Sequence, residues 1–181
     1  TNEELGAHLD TPVVIMVDEF GKANPSVKNA LLRLTHERKI GSRTLHPDSI
    51  VFATTNLGAE GVGDMLQPHA RNRISVVTMR KPTADEWVEY GINAGIEPSI
   101  LSWVVDHPEV FQSFTEVVDP NENPYIYHPK DKARPAFITG RSLEKYSHVL
   151  KQRATIGDKA VTAAGIGLIG AKAALDMQAY V

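Results

Sequence analysis

Over the first half of the chain, short apolar runs alternate with stripes at helical spacing. Val13-Val14-Ile15-Met16-Val17 is a β-branched run entered from Pro12, and it predicts a strand buried on both faces, as in a parallel sheet. Asn24-Pro25 predicts a helix start, with Asn as cap and Pro in the first turn, followed by Val27, Leu31 and Leu34 on one stripe. Gly41 and the polar residues to Asp48 predict a turn or short hairpin. Ile50-Val51-Phe52-Ala53 is a second buried-type strand with Thr54-Thr55-Asn56 as its exit. A turn around Gly58, Gly61 and Gly63, a short helix from Leu66 to Asn72 and a third strand from Ile74 to Met79 complete an α/β pattern.

The second half reads as helical. Thr83-Ala84-Asp85-Glu86 is a capping-box pattern, with Gly95 as a stop, and a further helix is expected from Pro98 to Asp106. The stretch from Thr115 to Pro135 is rich in Pro and Asn and predicts a long loop, of the kind that is functional or mobile. Helical periodicity returns with Leu143, Tyr146 and Leu150, and again with Val161, Ala164, Leu168, Ala171 and Leu175. A boundary is therefore expected near Lys81-Pro82, giving an α/β piece over 1–82 and a helical piece over 83–181.

Composition narrows the function classes. Nineteen Lys+Arg against 22 Asp+Glu give a formal charge of -3, which does not support a nucleic-acid motor. Cysteine is absent, so disulfides, thiolate zinc sites and a cysteine nucleophile are excluded, and a reducing, cytoplasmic setting is expected. No run approaches the ~18 apolar residues of a membrane span, and Thr1 to Leu5 has no signal-peptide character. The histidines show no H-x-x-x-H zinc pattern.

Four places carry chemistry. Asp18 and Glu19 end the first apolar strand, where open α/β sheets bind ligands. Neighbouring strand residues point apart, so the two carboxylates are expected to divide the work: Asp18 holding Mg²⁺ through water, Glu19 activating a water. A strand running into an acidic turn would look the same. Asn56, at the second strand's exit, could orient a water or simply form a turn. Arg71 and Arg73, just before Ile74, could present a guanidinium to a neighbour's phosphates or be solvated surface residues. Arg141, in Thr139-Gly140-Arg141-Ser142, stands at a helix start, a phosphate-facing position or an ordinary capped helix.

Taken in order, Asp18-Glu19, Asn56, Arg71/Arg73 and Arg141 resemble the Walker B, sensor 1, arginine-finger and sensor 2 elements of AAA+ ATPases. Val17-Asp18-Glu19-Phe20, Ala53-Thr54-Thr55-Asn56 and Thr139-Gly140-Arg141-Ser142-Leu143-Glu144 are most similar to MoxR-like and related bacterial and bacteriophage members. In that subfamily proline commonly precedes the sensor 2 arginine; here Gly140 does. The resemblance covers roughly Thr11 to Tyr180. It implies a P-loop NTPase-like parallel-sheet core followed by a helical lid. It also implies Mg²⁺-dependent ATP hydrolysis that remodels a protein partner. Glu19 would be the base, Asp18 the Mg²⁺ ligand and Asn56 the residue that positions the water. Arg73, with Arg71 as runner-up, would be the finger, and Arg141 the γ-phosphate contact from the lid. A hexameric ring with ATP at its interfaces, and a von Willebrand factor A-domain partner, are further implications.

The phosphate-cradling loop G-x-x-x-x-G-K-[ST] is absent from the 181 residues. Since the resemblance places that loop upstream of the Asp-Glu strand, Thr1 is expected to begin partway through an AAA+ module. The isolated chain is accordingly expected to be inactive. A non-hydrolysing binding or assembly module is the alternative. Gly165-Ile166-Gly167-Leu168-Ile169-Gly170 fits G-x-G-x-x-G literally, but it is followed by no βαβ unit. It is expected to be a close-packed lid helix rather than a dinucleotide site. Trp87 and Trp103 are expected in the lid core.

Overall fold

Strand β1, Val14–Val17, pairs in parallel with β4, Ile50–Ala53, in the register Val14↔Ile50 through Val17↔Ala53. The computed structural model describes residues 10–56 and 75–181, and within them the chain divides into two units, Thr1–Thr78 and Met79–Val181.

In the first unit, helix α1, Pro25–Glu37, follows β1. Asn24 caps it by accepting from the Val27 N–H at 2.9 Å, and Pro25 fills the first turn, where its missing N–H is not needed. Arg38 ends the helix in a left-handed conformation and leads into the hairpin of β2, Lys39–Ile40, and β3, Arg43–Thr44. The Arg38 guanidinium returns to the chain before β4, donating to the carbonyls of His46, Pro47 and Ser49. Leu34 and Leu45 are buried, with Ile15, Leu31 and Val51 packed on them, so α1 and the hairpin cover one sheet face.

Two sequence expectations are corrected here. The strands are not buried on both faces: Val14, Met16, Ile50 and Phe52, which share the opposite face, are between 45% and 68% exposed. A two-residue period puts every second side chain opposite α1, and no described residue covers that side. The third strand is also not formed. Ser75 to Met79 makes no ladder, with Val76 and Val77 69% and 82% exposed; Ile74 lies outside the described residues. A β-branched run becomes a strand only where a neighbour accepts its backbone bonds.

The second unit is helical: α2, Ala84–Asn93; α3, Pro98–Asp106; α4, Gly140–Leu150; α5, Arg153–Ile156; α6, Asp158–Ile169; and α7, Ala171–Asp176. Its core contains Trp87, Ile100, Trp103, Val104, Leu143, Tyr146 and Ala174, so both tryptophans lie where the sequence places them. Thr83 and Glu86 form the capping box of α2. The periodicity after Val161 is interrupted at Gly170, whose φ of 90° divides α6 from α7. Gly165 lets those helices close on α4: a Cβ there would stand 2.9 Å from the Tyr146 ring and 3.1 Å from Ala174 Cβ. Of the glycine repeat, Gly165 serves packing and Gly170 the break between helices, while Gly167 has open space around it.

The long loop is tied down by buried polar groups. The Asn123 side-chain amide donates to the Glu109 carbonyl (2.8 Å) and Gln112 Oε1 (3.0 Å), and its oxygen accepts from the Tyr125 N–H. Buried His128 bridges the Val117 carbonyl and the Lys130 N–H, both at 3.2 Å. Arg134 pairs with Asp131 at 2.9 Å and donates to the Ile126 carbonyl. Among the described residues no helix is long and apolar enough to cross a membrane.

Candidate functional site

Parallel pairing brings the exits of β1 and β4 out at one edge of the sheet, so Asp18-Glu19 stands beside Thr54-Thr55-Asn56. The strands stay joined one residue beyond the assigned ladder: the Thr54 N–H donates to the Val17 carbonyl at 2.9 Å, and the Phe20 N–H to the Thr54 carbonyl at 2.8 Å. Between those bonds the chain bends. Glu19 takes the left-handed conformation, φ 53° and ψ 40°, at a cost of about 1–2 kcal/mol for a residue with a Cβ. A 3₁₀ turn, Phe20–Lys22, follows, with Phe20 and Gly21 buried.

Side chains fix that bend. The Thr54 hydroxyl donates to Asp18 Oδ1, and the Glu19 N–H is shared between Asp18 Oδ1 (3.0 Å) and Thr54 Oγ1 (3.2 Å). The Glu19 carboxylate, exposed, pairs with Lys22 one turn on. The two carboxylates therefore have different partners and make no proton-sharing dyad. Exposed pairs of the Lys22–Glu19 kind are weak, so Glu19 can leave Lys22 at little cost.

One carboxylate and a hydroxyl are a sparse donor set. Among the described residues no group of three or more His, Asp or Glu could cage a metal ion. Such a set suits Mg²⁺, which keeps most of its waters and uses one or two carboxylates. Both bonds to Asp18 end on Oδ1, and Oδ2 carries neither of them.

Asn56 stands three residues past β4 and is exposed. Arg141 belongs to the second unit, exposed on the first turn of α4. Thr139 and Ser142 cap that helix reciprocally at 3.0 and 2.9 Å. Gly140 has a packing reason: a Cβ there would lie 2.7 Å from Trp87 Nε1. Arg71 and Arg73 lie outside the described residues. Sequence reasoning overlooked Thr54 and Lys22. Only the register reveals Thr54: with Val17 opposite Ala53, the next residues outward are Asp18 and Thr54.

Comparison with protein-family models, curated proteins and solved structures finds no match for this chain.

Proposed function

We propose that this chain supplies the water-activating edge and the lid of a Mg²⁺-dependent AAA+-type ATPase that remodels a protein partner. The observation that carries the reading is the convergence of Asp18, Glu19 and the Thr54–Asn56 segment at the carboxyl ends of two parallel strands. In such a site water attacks the γ-phosphorus of ATP, Glu19 accepts the water's proton, and the bond to the β-phosphate oxygen breaks to leave ADP and phosphate. Asn56 orients the water. Asp18 would hold Mg²⁺, and the ion would supply charge that offsets the phosphates. Arg141 is the sensor 2 candidate of the helical unit, and Arg73, or Arg71, would serve the site of a neighbouring subunit in a hexameric ring. A von Willebrand factor A-domain protein is a partner suited to this class of motor. The phosphate-cradling loop has to come from outside these 181 residues. Its absence from them is also the observation that favours the second reading, a non-hydrolysing assembly module.

Mixing separates the two readings. Rings of Glu19→Gln subunits and rings of Arg73→Ala subunits each lose ATP turnover, by roughly 10²–10⁴ and 10³–10⁵. Combined, they recover turnover, because some interfaces then pair an intact Glu19 with an intact Arg73. A mixture as inactive as its parents contradicts the shared-interface motor.

A further inference from the structure

We propose that Thr54 is the positioning residue of this edge, acting on the reaction through Asp18 and Glu19. The inference rests on the ATPase reading and deepens it. All of the polar groups of Thr54 serve four successive residues of the other strand exit. Its N–H donates to the Val17 carbonyl, its hydroxyl donates to Asp18 Oδ1, its Oγ1 accepts from the Glu19 N–H, and its carbonyl accepts from the Phe20 N–H. Any residue makes the two backbone bonds. The two side-chain bonds need a hydroxyl that both donates and accepts, which Ser shares and Val, of the same shape, lacks.

Those side-chain bonds bear on the residues that would do chemistry. Donation to Oδ1 fixes the rotation of the Asp18 carboxylate and hence the direction of Oδ2. Acceptance from Glu19 steadies a backbone held at φ 53°, a region that residues with a Cβ rarely occupy. Glu19 is turned out of the strand by that angle, so relaxation to an extended conformation would carry its carboxylate away from the edge. The hydroxyl thus serves Asp18 and Glu19 directly, while Asn56 follows two residues further along the same exit.

Two variants test the assignment, Thr54→Val and Thr54→Ser. In the 181-residue chain, hydrogen exchange at the Glu19 amide is expected to quicken by up to about tenfold in Thr54→Val, because its N–H loses Thr54 Oγ1 and the Asp18 Oδ1 that remains loses the hydroxyl that holds it. Thr54→Ser restores it. The Ile50 amide, bonded to the Val13 carbonyl at the far end of the ladder, keeps its wild-type rate in both. In the assembled ATPase, kcat falls roughly tenfold to hundredfold in Thr54→Val with the KM for ATP unchanged, and Ser restores kcat. Unchanged Glu19 exchange in Thr54→Val overturns the proposal. So does equal acceleration at Glu19 and Ile50, which makes Thr54 only a strand residue, and so does a Ser variant that behaves like Val. Failure of the ATPase reading is distinct: the native assembly then has no ATP turnover, or Glu19→Gln keeps it, whatever the exchange at Glu19 shows.

Discussion

Gly140 shows how one residue decides what a helix start can look like. The capping box of Thr139 and Ser142 fixes the backbone, and the Trp87 indole fills the space where a Cβ would go. A side chain of any kind has no room there unless Trp87 moves. Gly140→Ala is expected to lower stability by about 1–3 kcal/mol, read from urea denaturation, because buried Trp87 has to shift. Glu86 is a residue-scale case in electrostatics. The hydrogen bond from Arg80, then the backbone bond from Thr83, hold its carboxyl at about 2 instead of 4.5. A depressed acid stabilises the fold above its unfolded value. This contribution is therefore complete above 4.5 and lost as pH falls toward about 2. Side-chain NMR titration should place the Glu86 midpoint near the lower value in the native chain and move it upward in Arg80→Gln. An unmoved midpoint would show that Arg80 is not the cause.

Among elements, the connection between the 3₁₀ turn at Phe114–Glu116 and α4 is held by buried polar groups as well as by buried apolar ones such as Val117, Ile126 and Ile138. Asn123, 2% exposed, satisfies Glu109, Gln112 and Tyr125 together. Asn123→Ala is expected to cost about 2–3 kcal/mol in chemical denaturation, since it leaves buried partners unsatisfied. A cost near zero would mean that the loop holds without it. The sequence marks this stretch as a loop from its prolines and asparagines, but not its order, which comes in part from partners more than ten residues away, Glu109 and Gln112 for Asn123 and Val117 for His128. Caps were easier to read. Asn24-Pro25 and Thr83 to Glu86 form where their local patterns place them, because every atom involved lies within one turn. Strands were harder. Val13 to Val17 and Ser75 to Thr78 both carry adjacent valines, yet among the described residues only the first finds a strand partner. The chemistry of the edge was legible in Asp18 and Glu19. The left-handed bend at Glu19 and the hydroxyl that holds it depend on the register with β4, which local pattern does not supply.

For the whole molecule, the two units divide the proposed work. The first carries the carboxylate edge on a two-stranded parallel sheet; the second is a helical body closed by small residues, with Arg141 exposed at one helix start. Among the described residues, the first unit's apolar cluster is Leu34 and Leu45 with three partly buried neighbours, whereas the helical unit buries both tryptophans. The ATPase reading therefore depends on the geometry of a few residues around Glu19. ATP binding and turnover, measured side by side in the assembled protein for the native chain and Glu19→Gln, test it most directly. The account predicts that the variant binds ATP as the native protein does and turns it over roughly 10²–10⁴ times more slowly. Turnover at the native rate in Glu19→Gln would contradict it.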